Sequence, residues 1–222
     1  MRNASCPGIN RTDSGHRKTR VTRHPSPTSY TSSLIVVEGI RQLMAIMKII
    51  TEPDPRYGKV SDRLRKKSVQ VEVIDDSIRT LARDLHETME AASGVGLAAP
   101  QVGIYRRLVV IRIPEGYEHE DDPEVELSLI NPEILRAGGQ DVDAEGCLSF
   151  PDLYGDVSRY ATVTVKAKDL EGRDLRLKAR GVLARALQHE IDHLDGVLFF
   201  DRMDDWSSLR YPVRIEEGEQ AS

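Results

Sequence analysis

Apolar residues recur along this chain with two periods, and the switches between them mark out its elements. Ile78, Leu81, Leu85 and Met89 repeat at intervals of three and four, the spacing of one helix face, so residues 75–92 predict an amphipathic helix. Asp75 or Asp76 stands where its N-cap belongs, and the glycines of 94–96 where it should stop. The same period returns over 181–195 through Leu183, Leu187, Ile191 and Leu194, with Gly196 following as the C-terminal glycine. Between these helices the period is two. Residues 107–113, with the run LVVIRI, predict a buried strand. Ala161, Val163, Val165 and Ala167 share one face, a turn follows at 170–172, and Leu175, Leu177 and Ala179 alternate again. That pattern predicts a β-hairpin with one buried face. Shorter apolar stretches at 49–50, 127–130, 134–135 and 197–200 predict short strands, and the acidic stretch 115–126 a solvated loop. Runs of strands with two strong helices predict the α+β class.

Length and charge sharpen the division. At 222 residues the chain suits one well-buried domain. Residues 1–43 hold seven Lys/Arg against two Asp/Glu, a net of +5, which leaves −10 for the remainder of a chain whose total is −5. Residues 1–33 are rich in Arg, Ser, Thr and Pro and lack apolar periodicity, a composition expected to be disordered. Three readings of this basic extension stand open: a translation start assigned too far upstream of Met44, a native extension, or an organellar transit peptide. Residues 44–205 are the expected folded domain, and 206–222 a polar tail that frays. No stretch has the apolar length of a membrane span, so no membrane partner is expected. So acidic a body also argues against direct nucleic-acid binding. Cys6 and Cys147 do not make a disulfide framework, and a reducing compartment fits them better.

The chemistry concentrates in three segments. Gln188-His189-Glu190-Ile191-Asp192-His193 lies inside the second helix, where residues four apart project from one face. Two imidazoles so arranged can hold one cation, and Glu190 between them is the acid/base of the His-Glu-x-x-His logic. Asp192 either supports a ligand or forms an ordinary salt bridge or cap. Cys147, in the loop-like Glu145-Gly146-Cys147-Leu148-Ser149, is the natural third ligand; a tetrahedral ion then keeps one open position. Gly94-Val95-Gly96-Leu97-Ala98-Ala99-Pro100-Gln101 joins the first helix to the LVVIRI strand. Its small residues allow close approach of a backbone or an extended substrate. Gln101 there can either donate to an oxyanion or merely tie down the turn.

Taken together, these three motifs, in this order and spacing, resemble the signature motifs of peptide deformylase, over roughly residues 44–203. The resemblance implies an α+β fold in which antiparallel sheets wrap a central helix carrying the metal-binding histidines. It implies a metal held by Cys147, His189 and His193, Glu190 as catalytic acid/base, and an oxyanion hole of the Gln101 side chain and the Leu148 backbone N–H. The implied substrate is the formyl-methionyl start of a nascent chain, cleaved to formate and a free N-terminus. Transient proximity to the ribosome, a monomeric state and a cytoplasmic location follow as expectations, with an organelle the alternative if 1–43 is a transit peptide. The implied ion is ferrous iron, with zinc, nickel or cobalt able to occupy the site; ligand chemistry alone favours zinc. An extended peptide is expected to add to a strand edge. Val95, Leu148 and Tyr154 are candidate walls of a methionine pocket or plain core. Two rivals differ in class. A zinc endopeptidase would want a further His or Glu ligand downstream, and a structural metal site would fill all four positions with protein ligands.

Overall fold

A computed structural model describes residues 46–212. The expectations for residues 1–43, for a start at Met44 and for 213–222 lie outside the described residues. The elements run α1 (Asp62–Arg65), α2 (Asp76–Ala91), β1 (Gly96–Ala98), β2 (Leu108–Ile113), β3 (Val125–Gly138), β4 (Asp141–Cys147), β5 (Phe150–Arg159), β6 (Thr162–Lys168), β7 (Asp174–Arg180) and α3 (Gly181–Leu194). Five strands form one antiparallel sheet in the order β1-β2-β3-β6-β7, and β4 and β5 pair as a separate antiparallel ribbon. The class is α+β, as the element pattern predicts.

The two helices cover opposite faces of the sheet. On β2, Val109, Ile111 and Ile113 pack with Ala184, Leu187, Ile191 and Leu194 of α3. Leu108 and Val110 point the other way, onto Ile78, Leu81, Leu85 and Met89 of α2. This two-sided burial is why LVVIRI is apolar almost throughout rather than alternating. Over β6 and β7 the described residues cover only the α3 face: Val163, Val165 and Ala179 are buried, while Thr162, Arg176 and Lys178 are exposed. A third cluster joins the β4–β5 ribbon, through Phe150, Leu153 and Val157, to Leu198, Phe199 and Phe200 after α3.

Asp75 caps α2 by accepting from the Ser77 and Ile78 N–H groups at 3.0 and 3.1 Å. Its far end departs from expectation. The helix stops at Ala91, and Ser93, not a glycine, takes the left-handed conformation (φ 55°), with Gly94 N–H bonded back to Met89 O at 2.9 Å. The glycine-alanine segment is likewise not a simple turn but β1 followed by a 3-10 turn over Ala99–Val102.

Three further expectations are corrected. The strands expected at 127–130 and 134–135 are one strand, β3. Asn131 (φ 52°) kinks it without ending it, because its amide bonds both the N–H and the C=O of Val71 at 2.9 Å. The stretch 197–200 is not a strand: a 3-10 turn over Phe199–Arg202 forms instead, capped by Asp201, which accepts from Leu198 N–H at 2.8 Å. The β4–β5 ribbon was not anticipated, since β4 reads Asp-Val-Asp-Ala-Glu-Gly-Cys and is mostly exposed. Nor does fraying apply to residues 206–210: Leu209 is buried, and Arg210 exchanges backbone hydrogen bonds with Tyr154 at 2.8 and 2.9 Å.

Candidate metal centre and active site

Residues 189 and 193 lie one turn apart on α3, on the side that meets the end of the β4–β5 ribbon. Cys147 is the last residue of β4, pairing with Phe150 across the two-residue loop Leu148–Ser149. It is therefore strand-borne rather than on a loop, which fixes its direction. Gly146 beside it has no side chain because the Tyr154 ring occupies that space: a Cβ there would meet the ring at 2.7 Å. The ligand atoms of Cys147, His189 and His193 all lie within 4.8 Å of one another, with Cys147 Sγ 3.3 Å from His193 Nε2. One thiol and two imidazoles converging at this range suit a divalent transition ion. Both histidines are buried and Cys147 is half-buried, so the centre opens to solvent on the cysteine side.

Behind the histidines lies a buried ionic network that sequence reasoning missed. Glu145 Oε2 accepts from His189 Nδ1 at 2.9 Å, leaving Nε2 as that ring's free nitrogen. Arg159 grips Glu145 through Nε and Nη2 at 2.8 and 3.0 Å and also bonds Asp192. Arg185 donates to Glu145 at 2.9 Å, and Arg202 to Asp192 at 2.7 and 3.0 Å. Asp192 thus serves as a salt-bridge acceptor, and its link to His189 runs through Arg159 and Glu145. Burial works to raise the Glu145 pKa, but hydrogen bonds from His189 and Arg159 outweigh it and hold the carboxyl well below the usual range. For His189 burial opposes the charge, yet the Cys147 and Glu145 contacts win and raise its pKa well above the ordinary value. Burial, with His189 and Arg159 nearby, pushes His193 well below it. Glu145 was legible in principle, since residues two apart on a strand share a face and Cys147 was already in view. Arg159, 33 residues from Asp192, had no local signal.

Glu190 is buried, and its Oε2 has no hydrogen-bond partner among the described residues. Burial, first of all, pushes its pKa up to about 7. Gly96 accounts for its position: a Cβ on Gly96 would overlap the Glu190 carboxyl. Gln101 is buried, its Oε1 accepting from Ala98 N–H at 2.8 Å, so it does tie the segment down. The same bond aims Nε2 at the centre, 3.2 Å from Ser149 Oγ and 3.6 Å from Cys147 Sγ. The Leu148 N–H finds no acceptor among the described residues. Its side chain rests against Gly94, where a Cβ would meet it at 2.7 Å. Val95 is half-buried and Tyr154 is 41% exposed, while Leu148 is half-buried and packs against the α2 cluster.

Residues 46–208 match the family model of polypeptide deformylase. The chain belongs to that family. Polypeptide deformylases are metal-dependent hydrolases that act on an amide bond, removing the N-formyl group from nascent peptides, and this is the activity of the chain. A peptide deformylase of Thermomicrobium roseum is 56% identical over 180 residues, 81% of this chain and 98% of the relative. Among solved structures, a peptide deformylase from Synechococcus elongatus in complex with actinonin shares 44% identity at a TM-score of 0.64, over 73% of this chain and 83% of that one. A Met-Ala-Ser-bound deformylase from Acinetobacter baumannii shares 33% identity at a TM-score of 0.65, over 72% and 100%.

Proposed function

We propose that Cys147, His189 and His193 hold the catalytic ion, that Glu190 is the acid/base, and that Gln101 and the Leu148 N–H form the oxyanion hole. The observation that carries this reading is the convergence of three ligand atoms within 4.8 Å, together with a buried Glu190 carboxylate oxygen that has no partner among the described residues. An ion held there supplies Lewis acidity, lowering the pKa of a water and polarising the formyl oxygen. Glu190 accepts the proton of the attacking water as its oxygen bonds to the formyl carbon. Gln101 Nε2 and Leu148 N–H donate to the oxygen on which negative charge develops. Glu190 then returns the proton to the peptide nitrogen as the C–N bond breaks, giving formate and a free amine. Glu145 keeps the His189 ring in one tautomer throughout. The ion is proposed to be ferrous iron, with zinc, nickel or cobalt as functional substitutes.

The substrate is an extended peptide beginning in formyl-methionine. The Met-Ala-Ser peptide held by the Acinetobacter relative has the form of a product and supports this. β1, an edge strand among the described residues, is the proposed pairing strand, with Val95, Leu148 and Tyr154 around the methionine side chain. Residues 44–205 are proposed as the catalytic domain of a monomer that works in the cytoplasm, near the ribosome. Among the described residues no helix is long and apolar enough to cross a membrane.

The test is formate release from a formyl-Met tripeptide by anaerobically purified, iron-loaded protein, with an acetylated peptide as control. Metal-dependent formate release with the acetyl peptide nearly inert is the expected outcome. A folded protein with one metal equivalent and no release would overturn the assignment.

A further inference from the structure

We infer that Arg185 is a positioning residue of the candidate metal centre: its guanidinium clamps the β4–β5 ribbon to α3 and so sets where Cys147 stands against His189 and His193, a role that rests on the ligand set proposed above. Arg185 lies four residues before His189, one turn along the same face of α3. Its side chain is only 11% exposed and reaches both strands of the ribbon. Nη1 donates to Glu145 Oε1 at 2.9 Å, to the Val157 carbonyl at 2.9 Å and to the Asp143 carbonyl at 3.4 Å. Nη2 donates to the Asp141 carboxylate at 2.7 Å and to the Asp141 carbonyl at 3.2 Å. Asp141, Asp143 and Glu145 alternate along β4, and Val157 of β5 stands opposite Asp143. One planar fork on the helix thus holds β4 along its length and crosses to β5.

β4 has little else to hold it in place. Before Cys147, none of its residues belongs to an apolar cluster among the described residues, and Val142 is 59% exposed. The ribbon's apolar contacts come instead from β5, through Phe150, Leu153 and Val157. Yet β4 enters the candidate site twice. It ends in Cys147, and Glu145, two residues earlier, accepts from His189 Nδ1. A shift of β4 would therefore move one candidate ligand and the partner of another together. Arg159 bridges the same two elements from the ribbon side, but its bonds go to the carboxylates of Glu145 and Asp192. Arg185 starts from the helix that carries both histidines and grips backbone carbonyls as well, which fixes the placement of the strand and not only its charge balance. Neutralising the acid of β4 would need no such geometry, and a lysine would serve that purpose equally.

The test loads the full chain with cobalt(II) and reads cobalt affinity by chelator competition, the visible spectrum of the bound ion, and the urea midpoint of the metal-free protein. Arg185→Met removes the clamp, and Arg185→Lys keeps only its charge. Arg185→Met is expected to bind cobalt about 10–100-fold less tightly, the range for losing a group that orients a ligand, with shifted d–d bands. Arg185→Lys should follow Arg185→Met rather than the wild type. Wild-type affinity and spectrum in Arg185→Met would overturn the inference. So would full rescue by lysine, or a lower urea midpoint as the only change. If Arg185→Met does not fold, Asp141→Ala decides. It removes one acceptor at the exposed end of the grip and should weaken cobalt binding a few-fold; wild-type affinity there overturns the inference. A wild-type spectrum in Cys147→Ser, or no cobalt bound by the wild type, would instead count against the proposed ligands.

Discussion

At the scale of single residues, a group that takes and returns a proton near neutrality must be held away from ordinary carboxylate chemistry. For Glu190, the proposed acid/base, burial does this and leaves its own Oε2 without a partner among the described residues. Glu190→Ala is expected to keep one equivalent of metal and lose about 10²–10⁴-fold in turnover; near-wild-type formate release would remove it from the chemistry. Gly96 is the less obvious member. Its missing side chain gives room to the Glu190 carboxyl, not only to an approaching peptide. Gly96→Ala should retain metal and lower kcat by about 10²-fold through a displaced carboxyl, and a variant with normal kcat would show that the carboxyl can shift freely. Close packing of this kind is invisible in a sequence, because the two residues are far apart along the chain.

At the scale of elements, the candidate metal centre depends on how the β4–β5 ribbon meets α3. Arg159 at the end of β5 joins Glu145 of β4 to Asp192 of α3, with its side chain only 4% exposed. Arg159→Met leaves two buried carboxylates with fewer partners and should cost about 3–5 kcal/mol, read from urea unfolding; a loss below roughly 1 kcal/mol would mean that Arg185 and Arg202 suffice. A second contact, α2 on β3, carries a pH dependence. His86 on α2 bonds Ser128 of β3 at 3.0 Å, and burial, with Arg112, lowers its pKa although Glu126 and Glu90 oppose this. The unfolded chain therefore takes up a proton near pH 6.5 that the folded one still resists, so stability is full above about pH 6.5 and falls as pH drops below it. Urea midpoints at about pH 7.5 and 5.5 should differ less in His86→Gln than in the wild type; an unchanged difference would acquit His86.

At the scale of the whole molecule, net charge and local charge tell different stories. Acid is in excess over residues 44–222, yet strand register gathers cations from β3 and β7 into one groove. The proposed ion is also a whole-molecule variable, because its candidate ligands come from β4 and α3. Stripping metal with a chelator should lower Tm, and ferrous iron should restore it. Stabilisation by a ligand at about 1,000 times its Kd is roughly 4 kcal/mol. Equal Tm with and without metal would mean that the ribbon and α3 hold their positions unaided.

Much of this was already legible in the residues. The two helices, the LVVIRI strand and the β6–β7 hairpin follow from periodicity, because one apolar face per element leaves a regular trace. Cys147, His189, Glu190 and His193 stood out because their chemistry is local to short motifs. Ser93 ending α2, the single kinked β3 and the β4–β5 ribbon did not, since left-handed turns at Ser or Asn and exposed strands carry little pattern. Only the tertiary structure decided that Glu145 steadies His189, that Arg159 ties the ribbon to α3, and that Gly96 makes room for Glu190. Each of these is a contact between residues distant in the chain, and such contacts exist only once the core has closed and brought them together.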